Sequence, residues 1–183
     1  MTRAQAKLDC LTKPIGSLGR LEDLAAQYVT ISGNDHPTCP RPRVLTLAAD
    51  HGVVAEGVSA YPSSVTAQMV ANFLHGGAAI NVLARQIDAD VQVVDMGVSS
   101  NLENLTGLVH RKIAYGTKNM AVGSAMSRDE ARQSVEIGIE LVNQAFADGI
   151  RVLAIGEMGI GNTTSSAAIT AVMSRKAIDE ITG

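Results

Sequence analysis

Apolar positions follow two rhythms along this chain. Three short runs, Val44-Leu45-Thr46-Leu47-Ala48, Val91-Gln92-Val93-Val94 and Val152-Leu153-Ala154-Ile155, are nearly continuous and rich in β-branched residues. That is the pattern of strands buried on both faces. A fourth, weaker run covers residues 109–114 and leads into Gly116-Thr117-Lys118-Asn119. Between the runs, apolar side chains recur at helical spacing. Val65, Met69 and Phe73 begin one such region, which breaks at Gly76-Gly77 and resumes over 78–86; a second covers 127–148, opened by Ser127 and Glu130 at capping-box spacing. An earlier helix is predicted with Ser17 as its cap, Leu18, Leu21, Leu24, Ala25 and Tyr28 as its apolar stripe, and Gly33 as its stop.

Each strong run passes directly into polar and glycine residues: Asp50-His51-Gly52, Asp95-Met96-Gly97 and Gly156-Glu157-Met158-Gly159. Strand, polar loop and helix in repetition predict an α/β fold, a three-layer Rossmann-like parallel sheet with helices on both faces. Ligands of such sheets bind beyond the carboxyl ends of the strands, where this chain concentrates its Asp, Glu, Asn and Gly. Residues 34–43 carry three prolines and read as a connector. Residues 1–36 are therefore expected to form a helical arm or part of a small helical subdomain, ahead of an α/β domain over residues 43–183.

Composition narrows the class further. Of 183 residues, 46% are hydrophobic but only 3% aromatic, with no Trp, so the core must be aliphatic. Cys10 and Cys39 show no CxxC spacing and are too few for a disulfide framework, which points to reduced thiols. No apolar run approaches the ~20 residues of a membrane span, and the first ten residues have no signal-peptide core. A net charge of −3 gives no electrostatic footprint for nucleic acid. The expectation, by elimination, is a soluble cytoplasmic protein.

The richest loop is Gly156-Glu157-Met158-Gly159-Ile160-Gly161-Asn162-Thr163-Thr164-Ser165-Ser166, between a strand and a helix of about 163–174. Glycines and a helix start together favour an anion such as phosphate. The glycine order is not GxGxxG, and the lysine of a Walker loop is absent. The alternative is a tight turn with a Thr or Ser cap. Glu157 is a poor neighbour for phosphate; it suits ribose hydroxyls or a developing positive charge, or else an ion pair with a nearby Lys or Arg. Asp50 and His51 have no partner at metal-ligand spacing, so a hydrogen-bonded strand end is the reading and no metal is expected. Tyr61 and Met69 could face a flat apolar base, or Met69 could be ordinary core. Lys13-Pro14-Ile15-Gly16-Ser17-Leu18-Gly19-Arg20-Leu21-Glu22 reads as a turn feeding a capped helix.

These blocks, with Gly57-Val58-Ser59, Tyr61-Pro62, Val65-Thr66, Gln68-Met69 and Gly76-Gly77-Ala78-Ala79-Ile80-Asn81 in the same order, resemble the nicotinate-nucleotide–dimethylbenzimidazole phosphoribosyltransferase family nearly end to end. The resemblance implies transfer of phosphoribosyl from nicotinate mononucleotide to 5,6-dimethylbenzimidazole, releasing nicotinate and forming α-ribazole 5′-phosphate, precursor of the cobalamin lower ligand. It implies Tyr61, Met69 and Met158 against the benzimidazole, Glu157 beside the ribose and reacting base, and Gly159 on the phosphate. Gly161, Asn162 and Thr163 are implied beside that phosphate, with Asp50 and His51 supporting the strand-end loop. It implies no metal or cofactor, and a homodimer.

Members of that family are considerably longer, and their proposed general-base glutamate lies in the carboxyl-terminal part. Asp179 and Glu180 sit in a short polar tail and do not replace it. The chain is therefore expected to be an amino-terminal half that lacks the general base. Two other readings stand beside this one: a non-catalytic module for a benzimidazole riboside or nucleotide, and a related transferase using adenine or a phenolic acceptor.

Overall fold

In the computed structural model, which describes residues 3–38 and 40–182, the valine-rich runs pair as a wholly parallel sheet. β1 (Arg43–Ala49) lies between β2 (Asp90–Gly97) and β4 (Leu153–Met158), and β3 (Val109–His110) extends the sheet beyond β2. Thr46 sits opposite Val93 on one side and Gly156 on the other. The chain moves outward through β2 and β3, then returns to place β4 on the far side of β1. This β3-β2-β1-β4 order is that of a doubly wound sheet, with its topological switch point between β1 and β4.

Side chains alternate across the sheet, and two apolar clusters form. On one face Ala48 and Val93 join Val70 of helix α3 (Ser64–Leu74), with Val98, Leu102 and Leu108 from the loop after β2. On the other, Leu45 and Val94 meet Ile137 and Leu141 of helix α5 (Arg128–Ala147). The expected break at Gly76-Gly77 separates α3 from α4 (Ala79–Gln86), with Gly76 at φ +77°. Asn81 Oδ1 accepts the Ala78 N–H at 3.2 Å and so takes up a donor at the start of α4. The α5 capping box forms as its sequence predicts. Ser127 Oγ accepts the Glu130 N–H at 3.2 Å and Glu130 Oε2 accepts the Ser127 N–H at 2.6 Å. That backbone donor holds the Glu130 carboxyl below its ordinary range.

The fourth run departs from expectation. Only two residues of 109–114 form strand, because the chain bends where Lys112 turns inward to the buried Asp95, 3.0 Å away. Asp95 Oδ1 also accepts the N–H groups of Gly97 and Val98, which fixes the turn leaving β2. At the opposite end of the sheet, Arg43 bridges Asp90 at 2.8 Å and Asp148 at 2.7 Å, tying the starts of β1 and β2 to the end of α5.

The described part of the chain forms two compact units, Met1–Cys39 and Pro40–Gly183. Cys39 lies outside the described residues, and Cys10 is exposed. In the first unit α1 (Arg3–Asp9) precedes α2 (Arg20–Ser32), and Gly33 ends α2 in the left-handed conformation as predicted. Ser17 is not the cap. Gly16 and Gly19, both at positive φ, turn the chain twice, and the helix starts after Gly19. The predicted stripe is also inverted: Leu18, Leu21 and Leu24 are exposed while Glu22 is buried. Lys13, 2.9 Å away, and the Leu18 N–H, at 3.0 Å, hold Glu22 in place and lower its pKa. A buried carboxylate requires such pairing.

Candidate active site

The carboxyl ends of β1 and β4 stand side by side, Ala48 opposite Met158. Beyond them the two loops interlock. The Gly159 backbone packs so closely on β1 that a Cβ there would overlap the Ala49 carbonyl oxygen. A Cβ on Gly161, at φ +87°, would lie 2.8 Å from Val54 Cγ2. Both positions need glycine to seat this loop on the turn after β1. This packing role stands beside the one the sequence suggested, close approach of the backbone to a ligand. Gly156 has open space around it.

His51 is the hinge pin of this contact. Its Nδ1 lies 3.0 Å from Ser165 Oγ on helix α6 (Asn162–Ser174), and it is half-buried. Burial pushes its pKa below the ordinary value, while the negative charges of Asp50 and Glu157 pull the other way. Asp50, almost fully buried, accepts the N–H of Ser99 at 2.8 Å and its hydroxyl at 2.7 Å, binding the β1 end to the β2 end. Its backbone carbonyl takes the Thr117 N–H at 3.0 Å. Gly52 packs against the backbone of residues 117–119 where no side chain would fit.

Glu157 is exposed and bonded by Asn162 Nδ2, with no Lys or Arg ion pair among the described residues. The Thr or Ser cap of the alternative reading does not form: the cap residue of α6 is Gly161, with no side-chain capping bond. Asn162 does related work from inside the helix. Its Oδ1 accepts the Thr163 N–H at 2.8 Å, and its own N–H reaches the Gly159 carbonyl at 3.0 Å. Two donors at the helix start are thus held internally, and an arriving anion must compete with the Asn162 side chain for one of them.

Met158 ends β4 in register with Ala48, on the sheet face that α3 covers. Met69 is half-buried on α3, and Tyr61 stands just before that helix with 64% of its surface exposed. The Ile160 N–H donates to Thr66 Oγ1 of α3 at 3.1 Å, so α3 and the Gly-rich loop are joined directly. A cavity of about 220 Å³ opens at the ends of β1 and β2, walled by Met96, Ile113 and Met126 with Asp50, Lys118 and Glu130 at its polar margin.

Ser99 escaped the sequence reading, and Thr66 and Ser165, though inside the quoted blocks, were given no role of their own. Each is a single hydroxyl residue whose partner is distant in sequence. The one signal available was position, since Ser99 follows a strand end and Ser165 opens a helix.

A parallel doubly wound sheet with a glycine-rich loop and a carboxylate at its switch point defines an α/β protein, and in such sheets ligands bind at that point. The family model described as Phosphoribosyltransferase matches residues 1–183, and the chain belongs to that family. It is 55% identical over 182 residues to the nicotinate-nucleotide–dimethylbenzimidazole phosphoribosyltransferase of Geotalea uraniireducens, covering 100% of this chain and 52% of that protein. The protein of the same name from Roseiflexus sp. is 54% identical over 98% of this chain and 51% of its own length. The crystal structure of CobT from Thermus thermophilus superposes with a TM-score of 0.92 at 47% identity, covering 98% of this chain and 54% of that one. The chain thus spans about half the length of the relatives it matches.

Proposed function

We propose that this chain carries part of the site that transfers phosphoribosyl from nicotinate mononucleotide to 5,6-dimethylbenzimidazole, yielding α-ribazole 5′-phosphate and nicotinate. The match over all 183 residues to a phosphoribosyltransferase model carries the reading. The strand-end chemistry supports it. A benzimidazole nitrogen attacks the anomeric carbon as nicotinate leaves, and positive charge builds on the sugar between the two. Glu157, exposed at the switch point, is suited to stabilise that charge. Asn162 holds its carboxylate, so little reorganisation accompanies the reaction.

Met158, Met69 and Tyr61 form the apolar wall for the flat base in this reading. Gly159, Gly161, Asn162 and Thr163 receive the phosphate, which replaces Asn162 Oδ1 as the partner of the Thr163 N–H. Asp50 and His51 brace the loops through Ser99 and Ser165. The acceptor for the benzimidazole N–H proton is assigned to none of these residues, and we place it in the part of the longer relatives outside the match. The protein acts in the cytoplasm and as a homodimer.

The test uses a chimera of the Geotalea relative whose matched 182 residues are replaced by this chain. Nicotinate release from nicotinate mononucleotide is followed with and without 5,6-dimethylbenzimidazole. Glu157→Gln should lower turnover at least tenfold while leaving the affinity for nicotinate mononucleotide within about threefold. Unchanged turnover would remove Glu157 from the chemistry, and a chimera that folds without releasing nicotinate would sink the assignment.

A further inference from the structure

Thr66 is out of keeping with its surroundings. It is fully buried in the first turn of α3, where Ala67, Val70 and Phe73 pack into the apolar cluster of the sheet. A valine has nearly the same shape and brings no hydroxyl to satisfy, whereas a buried polar group needs a partner. That partner lies 94 residues away: Thr66 Oγ1 accepts the Ile160 N–H at 3.1 Å. Ile160 stands inside the glycine-rich loop, between Glu157 and the Asn162 that bonds it. The other contacts of the loop run elsewhere. Gly159 and Gly161 seat it on β1 and the turn that follows, and Ser165 reaches His51. The Thr66 bond fastens it to α3, which carries Met69 three residues further on. Residues three apart are neighbours on a helix surface. One short stretch of α3 therefore meets both the loop that presents Glu157 and, through Met69, the wall assigned to the flat base.

We infer that Thr66 is a positioning residue: its hydroxyl sets the separation between the base wall on α3 and the loop that carries Glu157. This rests on the reaction proposed above, in which α3 holds the acceptor base and the loop faces the sugar. Without the hydroxyl the Ile160 N–H loses its acceptor, and an unpaired donor in a half-buried place draws the loop towards water. A misplacement of about 1 Å between reacting groups costs on the order of a hundredfold in rate. A gap opened between the wall and the loop also loosens the grip on the ring edge, so the choice among flat acceptors weakens.

Thr66→Val and Thr66→Ser, compared in the chimera described above with 5,6-dimethylbenzimidazole and unsubstituted benzimidazole as acceptors, test this. Thr66→Val should raise KM for 5,6-dimethylbenzimidazole about fivefold or more and leave KM for nicotinate mononucleotide within about threefold. It should also lower the kcat/KM preference for 5,6-dimethylbenzimidazole over benzimidazole about threefold or more. Thr66→Ser restores the hydroxyl and should stay within about twofold of the parent on all three. Loss of folded enzyme lowers kcat with both acceptors alike and moves neither KM nor the preference; that result overturns the inference, as does equal damage from serine and valine. A parent chimera that releases no nicotinate sinks the reaction and this inference with it, whereas an active parent that Thr66→Val leaves unchanged sinks the inference alone. The bond itself is read in the native chain, where the Ile160 amide should exchange at least tenfold more slowly than in an unstructured peptide. Absence of protection there overturns the inference whether or not the valine variant folds.

Discussion

His51 shows how one side chain sets both geometry and acid sensitivity. Burial lowers its pKa in the folded protein, so the native ring resists a proton that the unfolded chain accepts below about pH 6.5. Between the native and unfolded values the unfolded state binds more protons, and stability rises with pH there. The contribution of His51 is therefore whole above about pH 6.5 and is lost as the pH falls below it. His51→Gln keeps a polar partner for Ser165 and abolishes the titration. Urea unfolding at about pH 7.5, 6.5 and 5.5, a range that brackets the ordinary histidine value, should show a shallower acid-side loss in the variant than in the native chain. Equal slopes would mean that His51 is not held neutral by burial. Asp50 beside it was legible as a strand-end residue, but its partner Ser99 was not, since 49 residues separate them and nothing local links the two.

At the scale of elements, the strongest signals in the sequence were periodic and local, and they carried through. The three strand runs, the α5 capping box and the glycine break before α4 each rest on residues within one or two turns of each other. The failures share the opposite cause. The strand expected over 109–114 stops early because Lys112 answers a charge on β2, and α2 starts late because Glu22 pairs with Lys13 across a double glycine turn. The loop after β4 mixes the two cases: its glycines were visible, but the contact that two of them make with β1 and the turn that follows it was not. Gly159→Ala measures that contact. The added methyl overlaps the Ala49 carbonyl, so the loop must lift from the β1 end. Cores and tight seams answer such overpacking with about 1–3 kcal/mol. We expect a loss of that size in urea unfolding, together with faster amide exchange over residues 159–165. A variant as stable as the parent, with unchanged exchange, would show that the loop does not depend on this seat.

For the whole molecule, the two apolar clusters decide where stability resides. Every member of both, from Leu45 and Ala48 through Val93 and Val94 to Ile137 and Leu141, belongs to Pro40–Gly183. The first unit has Ala4 as its only buried apolar side chain among the described residues, and its most buried charged group, Glu22, is satisfied by Lys13 within the same unit. Two helices of 7 and 13 residues are too short to persist by propensity alone. Residues 1–39 thus hold little of the core among the described residues, and residues 40–183 nearly all of it. A polypeptide of residues 40–183 should keep the strand and helix signature of the sheet by circular dichroism. It should unfold in one cooperative transition within about 5 °C of the full chain, since removing the helices deletes no member of either cluster. In the full chain, amides of Arg20–Ser32 should exchange well before those of Arg43–Ala49 and Asp90–Gly97, which lie at the centre of the sheet. Loss of the cooperative transition on removing residues 1–39 would place part of the stability in the amino-terminal helices, and the sheet would then not be the independent folding unit that its clusters describe.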